Sequence, residues 1–186
     1  MPRDMQKISD ALLGTVGQGE TLYALLDSAR KPEIALRLRG SNLEYDSLYR
    51  GRSEETMWDV APYLVRWEPS SEFFSWVLQE GWGESWGIFL TSTASLEELC
   101  KHFRQFLLAT LEDGRQVYFR FYDPRVLRVF LPTCTLEETS RFFGPVLCYL
   151  IESEQTNLLL KFTADKRMME LESVSLFDSG RSDSEV

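Results

Sequence analysis

Short apolar runs alternate with stretches of helical periodicity from position 21 onward. Leu22-Tyr-Ala-Leu-Leu26 is an unbroken apolar run closed by Asp27, and it predicts a buried strand. Pro32 suits a first helical turn and Gly40 a stop, which predicts a helix over about 31–39. Pro62-Tyr-Leu-Val-Arg-Trp67 reads as a second strand, and Trp86-Gly-Ile-Phe-Leu90 as a third. Between them, Ser71-Glu-Phe-Phe opens a helix through Gln79, terminated by Gly81.

Ser95-Leu-Glu-Glu98 has the spacing of a capping box, and Leu96, Leu99, Phe103, Phe106, Leu107 and Thr110 follow at three- and four-residue steps. Glu112-Asp-Gly-Arg115 is a turn before a fourth strand, Gln116–Phe121. Pro124 starts a short helix that Pro132 ends, Thr135-Leu-Glu-Glu138 repeats the capping box, and Val146–Ile151 with Leu158–Phe162 forms a hairpin. Strand–helix alternation predicts an α/β fold, a mostly parallel sheet flanked by helices, with a smaller C-terminal α+β lobe. The implied organisation is a lead-in over 1–20 and one domain over 21–165, its α/β lobe about 21–123 and its small lobe about 124–165. Positions 166–186 form a tail whose composition predicts at least partial disorder.

Composition narrows the function. A net charge of −9 opposes phosphate neutralisation, so no nucleic-acid partner is expected. The three cysteines, Cys100, Cys134 and Cys148, sit among apolar neighbours without metal-ligand spacing and read as reduced thiols. No run is long enough for a membrane span and no secretory leader is apparent, so the expectation is a cytoplasmic protein without a membrane partner.

Catalytic patterns are sparse. The single histidine, His102, falls about 60° from the centre of its helix's apolar stripe. Cys100 lies two residues away, so the two side chains point apart. Gly81-Trp-Gly-Glu-Ser-Trp-Gly87 is glycine-rich but lacks the Lys-Ser/Thr of a phosphate loop. No catalytic residue, metal ligand or cofactor is therefore expected. The most distinctive segment is Arg120-Phe-Tyr-Asp-Pro-Arg125, at a strand end leading into a helix, where Arg120 or Arg125 is placed to pair with Asp123 or Asp27. Such pairs serve either as scaffold or as a polar patch for a partner. Phe73, Phe74, Trp76, Val77 and Leu78 crowd all sides of one short helix, which is then fully buried or has a face left for a partner. Phe73 and Trp76 are the candidates for that contact.

The order Tyr23-Ala-Leu-Leu-Asp27, Ser47-Leu-Tyr-Arg-Gly51, Pro62-Tyr-Leu-Val65, Ser85-Trp-Gly-Ile88, Leu96-Glu-Glu-Leu99 with Phe103-Arg104, and Arg120-Phe-Tyr-Asp-Pro-Arg125 resembles the Tap/TEC family. These are the VasW-like type VI secretion adaptor chaperones, long catalogued as a domain of unknown function. The resemblance runs from about Leu22 to Ile151. It implies a non-catalytic carrier that binds a cognate effector and helps deliver it to the VgrG spike or a PAAR tip. Asp27, Arg104, Arg120, Asp123 and Arg125 match the family pattern, which does not say whether they hold the fold or the partner. Two other readings stay open: a small hydrolase or transferase using Asp27, Arg120 and Asp123 at a strand-end crevice, and an interaction module unrelated to secretion.

Overall fold

The computed structural model describes residues 5–111, 113–155, 157–165 and 168–176. Its elements in chain order are α1 (Met5–Leu13), β1 (Thr21–Asp27), α2 (Glu33–Arg39), β2 (Tyr45–Ser47), α3 (Arg52–Thr56), β3 (Pro62–Arg66), α4 (Glu72–Trp76), β4 (Gly87–Ser92), α5 (Leu96–Arg104), β5 (Leu108–Thr110), β6 (Gln116–Tyr118), α6 (Pro124–Phe130), α7 (Leu136–Phe143), β7 (Val146–Glu152), β8 (Leu158–Ala164) and β9 (Met169–Ser175). Seven strands form one sheet in the order β2-β3-β1-β4-β7-β8-β9, and β5 pairs with β6 in a separate ribbon.

Every neighbouring pair in the large sheet is antiparallel, which overturns the mostly parallel sheet expected from the sequence. The strand–helix–strand unit β3-α4-β4 does join two strands of like direction, but β1 lies between them and runs the other way. Nor is there a separate C-terminal lobe, because β7, β8 and β9 continue the same sheet. Strand β9 falls within the stretch read as a tail. Residues 177–186, where that reading is strongest, lie outside the described residues.

Both faces of the sheet are covered over β3, β1, β4 and β7, whereas β9 is exposed along almost its whole length. Alternation along β1 sends Leu22, Ala24 and Leu26 to one side, with Ile8 and Leu12 of α1, Ile34 and Leu38 of α2, and Phe73, Phe74 and Trp76 of α4. Tyr23 and Leu25 point to the other side, with Leu99 and Phe103 of α5, Leu127 of α6 and Phe142 of α7. Continuous apolar strands follow from double coverage whatever the strand direction.

Local chemistry sets the helix starts. Ser95 Oγ accepts from the Glu98 amide at 3.3 Å while Glu98 accepts from the Ser95 amide at 2.9 Å. Thr135 and Glu138 repeat the exchange at 3.3 and 2.8 Å. The end of α5 differs from the expectation. The apolar periodicity continues to Thr110, but the helix stops at Arg104 and Leu108–Thr110 pairs instead with Gln116–Tyr118. The predicted fourth strand is thereby shortened to three residues and excluded from the large sheet.

Phe121 shows where core energy concentrates. It is fully buried and its ring centroid lies 5.6 Å from those of both Phe103 and Phe142. Phe121→Ala is expected to lower unfolding free energy by about 3–5 kcal/mol in a denaturant titration. Val129→Ala, at a position 70% exposed, should change it by less than about 0.5 kcal/mol.

Candidate functional site

Strands β1 and β7 are both antiparallel to β4 and so run in the same direction. Their C-terminal residues, Asp27 and Glu152, therefore lie at one end of the sheet, either side of the loop that enters β4. Both carboxylates are buried.

Asp27 is wholly inaccessible. Its Oδ1 accepts from the Ala29 amide at 3.0 Å and its Oδ2 takes the Arg120 guanidinium. Burial pushes the Asp27 carboxyl above its ordinary range, and the Arg120 contact and Ala29 amide pull the other way. Arg120 lies past the end of β6, and its carbonyl accepts the Asp123 amide at 3.0 Å. Asp123 is the N-cap of α6: Oδ1 accepts from the Arg125 amide at 3.0 Å and from Arg125 Nε at 2.9 Å, and Oδ2 from Nη2 at 2.5 Å. Burial raises the Asp123 carboxyl, but the Arg125 bonds outweigh it and hold the group below its ordinary value. Of the pairings left open by the sequence, Arg120 takes Asp27 and Arg125 takes Asp123.

Glu152 escaped the sequence reading. Its carboxylate accepts from the Gly83 amide and, at 3.0 Å, from the Ser85 amide. Ser85 has φ 58°, the one positive-φ side-chain-bearing position among the described residues. The buried acid thus pins a strained turn. Burial raises the Glu152 carboxyl against those amides and Arg128, and Arg128 Nη1 donates to the Glu152 carbonyl at 2.7 Å. The usable signal was an acid closing the apolar run of β7, the same signal that Asp27 gives for β1.

Three buried carboxylates and three arginines therefore interlock here. The carboxylates are occupied as acceptors, while the Arg120 and Arg125 side chains remain 40% and 50% exposed. A cavity of about 360 Å³ lies beside them, lined by Gly83, Ser85, Arg125, Arg128, Glu152, Ser153 and Glu154. Outward it presents the Arg120 and Arg125 guanidinium N–H groups, suited to carboxylates and carbonyls, and beside them the exposed Glu154 carboxylate, 3.8 Å from Arg128.

The remaining sequence candidates lie elsewhere. Arg104 braces the edge of the sheet, donating to Asp46 Oδ2 at 3.0 Å and to the Ser47 carbonyl at 2.7 Å. Phe73 and Trp76 are buried in the aromatic core: of the two readings left open for α4, a fully buried helix or one with a face left for a partner, it is the buried helix. His102 is half-buried, its Nε2 2.9 Å from the Phe142 carbonyl, and desolvation lowers its pKa. Burial pushes the Cys100 and Cys148 thiols up to about 12. Among the described residues no group of acids, histidines and cysteines is placed to hold a metal ion, and no helix is long and apolar enough to cross a membrane.

The opposed carboxyl shifts give a pH test. Because Asp123 is held below its ordinary value, its ionised form stabilises the fold above the unfolded-state value, and this contribution is lost as pH falls through the folded one. Asp123→Ala should cost about 1–2 kcal/mol near neutrality, and Asp123→Asn less because Asn also caps. In thermal melts across the acid range, the gap between wild type and Asp123→Ala should close as pH drops; a pH-independent gap refutes the assignment.

The family described as a domain of unknown function, DUF4123, matches residues 22–141, a span that includes Asp27, Arg104 and the whole Arg120–Arg125 segment. No curated protein and no solved structure matches the chain. With more than half of its length matched, the chain belongs to the DUF4123 family.

Proposed function

We propose that the protein is a non-catalytic adaptor chaperone that binds a cognate type VI secretion effector and helps load it onto the VgrG spike or its PAAR tip. The observation that carries this reading is the family match, since DUF4123 is associated with type VI secretion effector adaptors. The charge cluster supports it physically. A docking surface gains affinity when its donors are held in position before the partner arrives. Asp27 and Asp123 hold the Arg120 and Arg125 guanidiniums in this way, leaving their outer edges for a polypeptide's carboxylates or carbonyls. An acid–base enzyme needs a carboxyl free to exchange a proton with substrate. Here both acids already accept from backbone amides and guanidinium. The chaperone works in the cytoplasm, before the spike is fired.

Co-expression with the effector encoded alongside, followed by affinity purification, should yield a complex. A deletion strain should lose secretion of that effector. Purification of the two proteins apart, with normal secretion in the deletion strain, overturns the proposal.

A further inference from the structure

The β5–β6 ribbon stands outside the large sheet and leaves its apolar side chains bare. Leu108 and Tyr118 are directly opposite each other in the register. They are 52% and 53% exposed, while in the same ribbon Val117 is 37% exposed and Leu111 next to it 40%. A two-stranded ribbon this short has little stability of its own in water. The Phe119 amide, donating to the Leu107 carbonyl at 2.9 Å, extends its ladder by one rung, and Tyr118 leans on Tyr49 of the body at 5.9 Å between centroids.

At the base of the ribbon opens a groove of about 330 Å³, walled by Phe106, Leu108, Phe119, Phe130 and Phe142. The rings brace one another, Phe119 against Phe130 at 4.8 Å and Phe106 against Phe142 at 5.1 Å, so the walls are preformed. The volume is at the small end of ligand pockets, roughly 300–1,000 Å³, enough for a few bulky side chains.

The rim decides the occupant. Glu138 also lines the groove, and it keeps its negative charge: its Oε2 accepts from the Thr135 amide and hydroxyl at 2.8 and 2.9 Å, bonds that hold its pKa below the ordinary value. Arg141 lies 5.9 Å from the Phe106 ring centroid, and Lys101 is exposed one helical turn before Gln105, another lining residue. Neither cation has an ion-pair partner among the described residues. In a chain of net charge −9, two unpaired cations against the one acid of the lining leave this rim with a net positive charge, which favours an acidic occupant. A second copy of the chain fits poorly. A two-fold interface would bring two chains of net charge −9 together.

We propose that this groove and ribbon receive an acidic amphipathic segment of the effector. Its bulky apolar side chains pack among Phe106, Phe119 and Phe130, and its carboxylates meet Arg141 and Lys101. The inference rests on the adaptor reading and adds to it the chemistry and the place of the cargo contact.

The test uses the full-length chain and overlapping peptides tiling the co-encoded effector. One acidic, apolar peptide is expected to bind. Leu108→Asp and Arg141→Glu should each weaken it about tenfold or more, with unchanged thermal melts. Replacing the peptide's acids by lysine should restore binding to Arg141→Glu. A benzophenone amino acid at position 108 should crosslink to that peptide, and one at position 36, 57% exposed on α2, should not. If the wild-type chain captures no effector, the adaptor reading fails and takes this inference with it. If capture persists in both variants with affinity within about twofold, only the groove assignment is overturned. Wild-type dimerisation abolished by the same variants would also overturn it, making the groove a self-interface.

Discussion

Asp27 ends an interior strand at a point water cannot reach, and a carboxylate there is tolerated only if donors are brought to it. Much of one end of the molecule follows from meeting that demand. Arg120 answers Asp27, and the Arg120 carbonyl receives the Asp123 amide, which sets where α6 begins. From α6, Arg128 reaches the Glu152 carbonyl, and the Glu152 carboxylate holds the turn at Gly83 and Ser85. The next residue, Trp86, offers its carbonyl to the Asp27 amide at 2.7 Å and closes the circuit. Removing an arginine leaves its acid buried and short of a donor, so these residues act as a unit whose parts are not additive.

The parts of this arrangement that depend on neighbours in sequence were legible without coordinates. Both capping boxes, the start of α6 at Pro124 and the hairpin of β7 and β8 rest on interactions among nearby residues and formed where the spacing puts them. Strand direction was not legible. A run such as Leu22–Leu26 reports that both faces are covered, and helices on both faces are more often the mark of a parallel sheet. Inserting β1 between β3 and β4 changes every pairing without changing that pattern. The end of α5 shows the same limit from the other side. Phe106 and Leu107 continue the helical period, yet cross-strand pairing of Leu108 with Tyr118 takes the chain out of the helix.

The aromatic surplus divides the same way. Four of the five tryptophans, Trp67, Trp76, Trp82 and Trp86, are buried on one face of the sheet with Phe73 and Phe74. Trp58 is partly covered, with Arg39 stacked at 3.6 Å from its centroid. Crowded aromatics in sequence therefore marked core. The bare apolar side chains of the ribbon came instead from a segment whose sequence reads as an ordinary strand, because exposure there results from exclusion from the large sheet, a property of topology.

These two surfaces, the sheet end and the ribbon, differ in kind. The sheet end presents guanidiniums locked by buried acids, with little freedom to adapt. The ribbon presents apolar area on an element with few ties to the body. Rigid polar donors discriminate between partners by geometry, since a mismatched partner leaves them unpaired. Apolar area on a lightly held element gains affinity by ordering against whatever chemistry complements it, at an entropic cost. On the adaptor reading, a carrier must hold its cargo firmly in one stage and give it up in the next, and that is easier when the larger hydrophobic contact sits on the less stable element. The fold separates the two roles by placing the ion-paired acids at the end of the sheet and the apolar ribbon outside it.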